Sequence, residues 1–174
     1  RAIALTALPA ELATEDKLYF EHPGYDLWAI LRAVIQNLQG GEVVSGASTI
    51  TQQVTRNLLF TSEERSRITA LRKIREVLLA AEITRSYSKE AILELYLNVA
   101  PYGGNRRGVQ AASLAYFGKE AGELSLAEAA LLAGLPQSPT RLRPDRNLAA
   151  SLQRQRLVLG RMVAEGFITE RQRR

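Results

Sequence analysis

The chain has 174 residues, of which 46% are hydrophobic, enough apolar material for one well-filled domain. It contains no cysteine and a single histidine, which excludes disulfides, thiolate catalysis and cysteine-ligated metals and disfavours a histidine-rich zinc site. Lysine and arginine number 23 against 18 aspartate and glutamate, and this net charge of +5 suits an anionic partner such as phosphate, lipid head groups or nucleic acid.

The first candidate functional segment is TEDKLYFEHPG, residues 14–24. It places Glu15 and Asp16 side by side after an apolar stretch and before an aromatic pair. The only histidine, His22, follows in a Pro-Gly turn. By itself the pattern fits either catalytic carboxylates or the polar end of a helix.

The next segment, DLWAILRAVIQNLQGG at residues 26–41, is rich in large apolar side chains. Its composition suits a helix lying in a bilayer interface, and core packing explains the same composition equally well. The glycines that end it, Gly40 and Gly41, permit movement of the residues before them. The apolar residues are Trp28, Ile30, Leu31, Val34, Ile35 and Leu38, interrupted by Arg32.

GASTITQQVTRN, residues 46–57, predicts a helix that begins near Ser48. Steps of four place Ser48, Gln52 and Arg56 on one face, while apolar residues form a stripe on another. The free N–H groups and the dipole at such a helix start attract phosphate. An ordinary amphipathic helix with a serine cap explains the same spacing.

Residues 61–98 also show helical periodicity. Thr61 and Glu64 are spaced as a capping box. Apolar residues follow at spacings of three and four, which predicts an amphipathic helix. They are Ile68, Leu71, Ile74, Leu78 and Ala81.

The segment LRKIRE, residues 71–76, places Arg72, Arg75 and Glu76 on one helical face. A solvated surface ion pair explains this arrangement, although Arg72 precedes Glu76 in the less favourable order. In ILELYLN, Glu94 lies among apolar neighbours, which predicts buried partners and a structural or orienting role.

The last third of the chain continues the helical pattern. Ser125 and Glu128 form a second capping box, and Gly134 and Pro136 end that helix. A basic helix is predicted over residues 147–165. No alternating strand-like run of convincing length occurs, so the predicted fold is all-α.

Four segments together resemble the successive signature motifs of the peptidoglycan glycosyltransferases of glycosyltransferase family 51, the polymerising domains of class A penicillin-binding proteins. The elements APYGG and RLRPDR look most like the penicillin-binding protein 1C branch. The resemblance covers nearly the whole chain. The four segments, in chain order, are EDKLYFEHPG, GASTITQQVTRN, RKIRE and ILELYLN.

This resemblance implies a fold and a reaction. The fold is a lysozyme-like helical lobe with a smaller, mobile, membrane-proximal lobe and a cleft between them. In the reaction, the 4-hydroxyl of an acceptor GlcNAc attacks the anomeric carbon of a lipid-linked donor and expels undecaprenyl diphosphate, with inversion from α to β. A poor hydroxyl nucleophile needs a base, and the departing diphosphate needs fixed positive charge or a metal.

The resemblance also implies roles for residues. Glu15 matches the catalytic glutamate, to which we assign the general base, and Glu76 matches a second glutamate that assists the leaving group directly or through a divalent cation. Asp16 orients the loop or contacts substrate, and His22 belongs to a structural turn. The positions that bind the donor's phosphates and sugars are Ser48, Gln52, Arg56, Arg72 and Arg75. The chain departs from the usual family pattern at Arg56, where lysine is common, and at Ala47, where glycine is common.

The implied partners are lipid II, the growing lipid-linked glycan, the bacterial membrane surface and inhibitors of the moenomycin type, with no role for nucleic acid. No cofactor is required by the sequence, and Mg²⁺ or Mn²⁺ is the metal that Glu76 could hold. The expected location is the outer, periplasmic side of the cytoplasmic membrane. The sequence shows no apolar run near the roughly 20 residues of a membrane span. We therefore expect residues 1–174 to be one glycosyltransferase domain excised from a longer, membrane-anchored protein.

Two other classes of function are open at this point. A lysozyme-like lytic enzyme would share a catalytic glutamate but cleave glycan, and it would not need arginines around Glu76 to hold a diphosphate. A non-catalytic module that binds anionic lipid or nucleic acid would explain the charge but not Glu15.

Overall fold

The computed structural model describes residues 7–40, 48–67 and 69–174. These residues form ten α-helices, one 3₁₀ turn and a single antiparallel bridge between Pro101 and Arg107, without a named strand in the described ranges. The all-α prediction is therefore confirmed. The helices are α1 Ala7–Glu15, α2 Leu27–Gly40, α3 Ile50–Leu59, α4 Ser62–Ser66, α5 Ala70–Ser86, α6 Lys89–Val99, α7 Val109–Phe117, α8 Leu126–Ala133, α9 Leu148–Ala164 and α10 Glu170–Arg173.

The chain divides into two compact units rather than the single one that composition suggests. The larger unit combines Arg1–Lys17 with Leu97–Arg174, and the smaller unit is Leu18–Tyr96. This division agrees with the larger and smaller lobes that the resemblance implies. Glu15 belongs to the larger unit and Glu76 to the smaller one.

The core of the larger unit is built where α1 packs against α8 and α9. Small side chains allow these helix backbones to approach closely, and longer apolar side chains of α9 fill the remaining space. The buried residues of this core are Ala10, Ala13, Ala130, Ala133, Val158, Leu159 and Met162.

The helix ends of the larger unit follow their sequence signals. Ser125 and Glu128 form the predicted capping box, and α8 ends before Gly134 as predicted. Lys119 donates a hydrogen bond of 2.8 Å to Glu128, and this contact, together with the Ser125 groups, lowers the pKa of Glu128 to about 2. The predicted helix over residues 147–165 is confirmed as α9, with Asn147 as its cap.

The helix predicted to follow Thr61 is divided into two helices in the structure. Thr61 and Glu64 do form a capping box, but the helix that they begin is the short α4. The chain leaves helical geometry at Arg67, and α5 begins at Ala70 with Thr69 as its own cap. A second capping threonine therefore starts the long helix, because its side chain accepts the hydrogen bond of the Arg72 N–H.

Helix α5 buries its polar face and exposes its apolar stripe. Leu71, Ile74 and Leu78 are 77%, 56% and 65% exposed, whereas Glu76 and Ala80 are fully buried. An amphipathic surface helix ordinarily turns its apolar stripe toward the core. Helix α5 does the opposite because α3, against which it packs, presents polar side chains to it. Ile68, the first residue of the predicted stripe, lies outside the described residues.

Helix α2 also carries exposed apolar side chains. Asp26 begins it by accepting a hydrogen bond of 2.9 Å from the Ala29 N–H. Trp28 is 74% exposed, and Leu27, Leu31 and Ile35 are exposed as well. Among the predicted members of this surface, the side chains of Val34 and Leu38 lie outside the described residues, as does Gly41. No helix among the described residues has the length and apolarity that crossing a bilayer requires.

The prediction for Glu94 is wrong in one respect, because this carboxylate is exposed. Helix α6 buries a face made by Ile92, Leu93, Tyr96 and Leu97. Glu94 lies on the opposite side, since it is two residues from Ile92 and so about 200° around the helix. The apolar residues beside Glu94 in the sequence therefore did not predict the exposure of its carboxylate.

Candidate active site

Glu15 is the last residue of α1 and is half-buried. The N–H of Asp16 donates to the Leu12 carbonyl at 3.1 Å, so Asp16 continues the helical turn that holds Glu15. Arg161 of α9 donates to the Thr14 carbonyl at 2.9 Å and anchors the same turn. Glu15 is thus presented by a helix end that is tied down by backbone hydrogen bonds and by packing in the core.

A buried polar pair lies one helical turn before Glu15. The Tyr102 hydroxyl donates a hydrogen bond of 2.7 Å to Glu11 Oε1, and both residues are almost fully buried. Burial, followed by the negative charges of Glu11 and then Glu15, raises the pKa of Tyr102 well above its usual value. Tyr102 therefore remains a neutral hydrogen-bond donor, and both carboxylates lie close enough to affect its phenol.

Helix α9 brings a partly buried cation near Glu15. Burial and the charge of Arg161 lower the pKa of Arg154, while the charge of Glu15 opposes that change. A side chain at Gly134 would place its Cβ 2.7 Å from Arg154 Cγ, so this glycine makes room for the arginine. The C-cap glycine predicted from sequence therefore has a second role in packing.

The segment after Asp16 is held by Lys89 of the smaller unit. The Lys89 ammonium donates to the carbonyls of Tyr19 and His22 at 2.5 and 2.7 Å and lies 4.5 Å from the centre of the Tyr19 ring. His22 Nδ1 accepts a hydrogen bond from the Gly24 N–H. These contacts agree with the structural role predicted for His22.

A polar cluster joins α3 and α5 in the smaller unit, and we call it the Lys73 cluster. The Lys73 ammonium donates to Ser48 Oγ at 2.7 Å, to Gln52 Oε1 at 2.8 Å and to Glu76 Oε1 at 2.8 Å. Arg72 Nη1 lies 3.7 Å from Glu76 Oε2. Lys73 therefore lies at the centre of the predicted site, although the prediction named only the residues around it.

Several polar atoms of the Lys73 cluster lack hydrogen-bond partners. Gln52 Nε2, Arg72 Nε and Glu76 Oε2 are buried and form no hydrogen bond within the described part of the chain. Burial lowers the pKa of Lys73, the charge of Glu76 opposes this, and the charges of Arg56 and Arg72 add to the lowering. Because buried polar groups in folded proteins are normally paired, these atoms are available to water or to a ligand with complementary polar groups.

The start of α3 explains why Ser48 is available to Lys73. A helix does begin near Ser48, as predicted, at Ile50, but its cap is Thr49 and not the serine of the alternative interpretation. Thr49 Oγ1 accepts from the Gln52 N–H and donates to the Gly24 carbonyl at 2.7 Å. Ser48 is left to bond Lys73 instead of the helix start.

The structure brings most predicted site residues of the smaller unit together. Ser48, Gln52 and Glu76 are joined through Lys73, and Arg72 pairs directly with Glu76. The effect of Arg56 on the pKa of Lys73 shows that its charge is close. Arg75 has other contacts: it donates to Glu64 Oε1 at 2.8 Å and stacks on the Phe60 ring at 5.2 Å. Ala47 lies outside the described residues.

Sequence reasoning missed Lys73, although a signal for it was present. Lys73 precedes Glu76 by three residues, and that spacing places two side chains on one helical face as surely as the spacing of four between Arg72 and Glu76. The pattern RKIRE therefore offered three cations for one carboxylate. In the structure, Arg72 and Lys73 form ion pairs with Glu76, whereas Arg75 forms one with Glu64.

The surroundings of Glu76 do not fit the divalent cation raised by the resemblance. Across the described ranges, no three histidine, cysteine, aspartate or glutamate side chains are grouped to hold a metal. Glu76 has Lys73 on one carboxylate oxygen and Arg72 near the other. A single carboxylate between two cations is a donor set for an ion-pair network. Mg²⁺, which is commonly held by one or two carboxylates together with substrate phosphates, would have to compete with Lys73 and Arg72 for the oxygens of Glu76.

Comparisons with known proteins give a consistent result. A family model described as Transglycosylase matches residues 2–163. Penicillin-binding protein 1A of Aquifex aeolicus (strain VF5) is 49% identical over 163 residues, which cover 94% of this chain and 22% of that protein. Penicillin-binding protein 1A of Neisseria flavescens is 46% identical over 164 residues, which cover 94% of this chain and 20% of that protein. The chain thus spans about a fifth of the length of these relatives.

Among solved structures, penicillin-binding protein 1A from Haemophilus influenzae is 42% identical, with a TM-score of 0.48 over 50% of this chain and 13% of that one. The relatives named above are of type 1A, and the assignment to the 1C branch stays a prediction.

Proposed function

Because the chain belongs to the transglycosylase family, we propose that it is a peptidoglycan glycosyltransferase domain that polymerises lipid II into glycan strands. The observation that carries this proposal is the Lys73 cluster. Three cations, Arg56, Arg72 and Lys73, are gathered where the buried atoms Gln52 Nε2 and Glu76 Oε2 form no hydrogen bond with the described residues. Such a cluster suits a phosphate-bearing ligand, since fixed positive charge stabilises a departing diphosphate.

In the proposed reaction, the 4-hydroxyl oxygen of the acceptor sugar attacks the anomeric carbon of the donor. A new C–O bond forms as the bond from that carbon to the diphosphate oxygen breaks, which inverts the configuration. The hydroxyl proton goes to Glu15, the general base. The negative charge of the leaving diphosphate is stabilised by the Lys73 cluster.

We assign Glu76 a role in holding cations in place. Its full burial and its 2.8 Å contact with Lys73 restrict the ammonium to one position, between α3 and α5. A fixed cation stabilises developing charge better than a mobile one because no reorganisation is needed during the reaction. Ser48 and Gln52 accept the remaining hydrogen bonds of Lys73 and complete its orientation.

Helix α2 supports a membrane-surface location for this activity. Its four exposed apolar residues form the kind of face that lies in a bilayer interface. Lipid II keeps its polyprenyl tail in the bilayer, so the enzyme must work near the lipid surface. We place the reaction on the outer face of the bacterial cytoplasmic membrane, with moenomycin-type phosphoglycolipids as inhibitors that compete for the Lys73 cluster.

The test is polymerisation of labelled lipid II by the Glu15→Gln variant. Loss of a positioned base should reduce the rate by about 10²- to 10⁴-fold while lipid II binding and the melting temperature stay near those of the unmodified protein. Glu170→Gln, which changes an exposed glutamate of α10, is the matched control and should polymerise normally. Near-normal turnover in Glu15→Gln would remove Glu15 from the mechanism. Cleavage of finished glycan without polymer formation would indicate the lytic alternative.

A further inference from the structure

The buried pair of Glu11 and Tyr102 has no part in the reaction as proposed above. Burying a carboxylate in a helical core is costly unless it is well paired, so its presence calls for a physical explanation. Glu11 is 1% exposed and accepts its hydrogen bond of 2.7 Å from Tyr102, which is fully buried. An apolar residue at position 11 would pack into the same core without this cost.

Glu11 lies four residues before Glu15 on α1, and both residues are within the larger unit. Side chains four residues apart lie on the same helical face, with their Cβ atoms about 6 Å apart. Both carboxylates raise the pKa of the Tyr102 phenol, which places them on the same side of the helix as this tyrosine. Glu11 is therefore a fixed neighbour of Glu15 rather than a distant core residue.

We propose that Glu11, held by Tyr102, is a positioning residue that keeps a negative charge one helical turn behind Glu15 and so makes Glu15 a stronger base. This inference rests on the proposed role of Glu15. A carboxylate is a weak base at neutral pH, and enzymes commonly increase its proton affinity through burial or a like charge nearby. The Tyr102 phenol donates to Glu11 Oε1, and this hydrogen bond stabilises the negative charge of Glu11 against the cost of its burial.

The cations on α9 show why such a charge is needed. Arg154 and Arg161 are positively charged groups near the end of α1, and a nearby positive charge lowers the proton affinity of a carboxylate. The negative charge of Glu11 opposes their effect on Glu15. The charged and titratable groups around this helix end are Glu11, Asp16, Lys17, Tyr102, Arg154, Arg161 and Glu165, while α8 meets α1 through Ala130 and Ala133.

The test is the pH dependence of lipid II polymerisation by the purified protein with Glu11→Gln. Glutamine keeps the shape of the side chain and removes its charge. The acid limb of the kcat profile should move to lower pH by about one unit, because a like charge about 6 Å away changes proton affinity by about half a unit in a water-like dielectric and by about two units at an effective dielectric constant near 20. The kcat on the plateau should fall several-fold, as expected for a weaker base, while KM stays unchanged.

Two further variants separate charge from structure. Glu11→Asp keeps the charge and should return the acid limb toward its original position. Tyr102→Phe removes the donor, favours the protonated form of Glu11 and should move the limb in the same direction as Glu11→Gln; it also serves if Glu11→Gln does not fold. An unchanged acid limb in the folded variants, with only a lower melting temperature, would show that the pair is structural and overturn the inference.

Glu15→Gln in the same assay distinguishes failure of the role proposed for Glu15 from failure of the inference about Glu11. If Glu15→Gln is inactive and Glu11→Gln has a normal profile, the role of Glu15 stands and the inference about Glu11 fails. If Glu15→Gln polymerises lipid II normally, the role proposed for Glu15 fails, and the inference about Glu11 fails with it.

Discussion

Two helix interfaces of this molecule are built on opposite principles. In the larger unit, α1 meets α8 and α9 through alanines and longer apolar side chains, as apolar periodicity predicts. In the smaller unit, α3 meets α5 through Gln52, Lys73 and Glu76, while the leucines and isoleucine of α5 face outward. Both interfaces join α-helices of ordinary length, so the difference does not come from secondary structure.

Hydrophobic periodicity predicts the buried face of a helix only under one condition. The apolar stripe marks the buried face when burial of apolar surface is what stabilises the contact with the neighbouring helix. At α3 and α5 the inner face must hold cations and hydrogen-bonding groups, and the burial of Glu76 against Lys73 replaces apolar packing. Local rules that agree elsewhere in a chain tend to fail at functional sites, and α5 is such a failure.

The largest stability effect is expected from truncation in the apolar interface. Met162→Ala should lower the free energy of unfolding by about 2–5 kcal/mol, because it removes a buried side chain and leaves a cavity. Leu78→Ala, in the exposed stripe of α5, should change it by less than about 0.5 kcal/mol. Urea unfolding of both variants measures the contrast. A loss of several kcal/mol in Leu78→Ala would mean that the stripe of α5 is covered, and the comparison of the two interfaces would not hold.

In the polar interface, removing Lys73 alone should lower the free energy of unfolding more than changing Lys73 and Glu76 together. Lys73→Met leaves Glu76 buried without its ammonium partner and should lower the free energy of unfolding by about 1–3 kcal/mol. Adding Glu76→Gln should recover part of that loss, since a neutral amide is easier to bury than a carboxylate. A double-mutant cycle by urea unfolding measures this coupling. Additive losses would show that the two side chains do not depend on each other.

The smallest stability effect is expected on the exposed face of α2. The double variant Leu31→Ser and Ile35→Ser should lower the free energy of unfolding by less than about 1 kcal/mol, because both side chains are already exposed. Co-sedimentation with liposomes should fall, since apolar area that enters the bilayer is lost.

The matched control for α2 is Leu148→Ser with Leu157→Ser, which changes two exposed leucines of α9. It should leave liposome binding unchanged. Equal losses of binding in both double variants would mean that exposed leucine in general, and not the face of α2, is responsible for membrane contact.

The sequence predicted these site residues through the family resemblance, because helical spacing alone also fits an ordinary amphipathic helix. Gln52 and Arg56 are four residues apart, as are Arg72 and Glu76, so each pair lies on one helical face, whereas Ser48 lies before α3 begins. Two details could not be predicted in this way. A choice among Arg72, Lys73 and Arg75 depends on the neighbouring helix, and the hydrogen bond of Tyr102 to Glu11 joins residues 91 positions apart.

The sequence alone identified most of the helices, the capping box of Ser125 and Glu128, and the family to which the chain belongs, because propensity, capping and motif order are local properties, but it did not separate α4 from α5. The tertiary structure decided which helical faces are buried. It placed Glu94 outside, although its sequence neighbours are apolar, and Glu76 inside, although its sequence neighbours include three cations, because burial depends on the side chains that a neighbouring element presents. Helix α3 presents polar groups to α5, and no property of α5 alone carries that information.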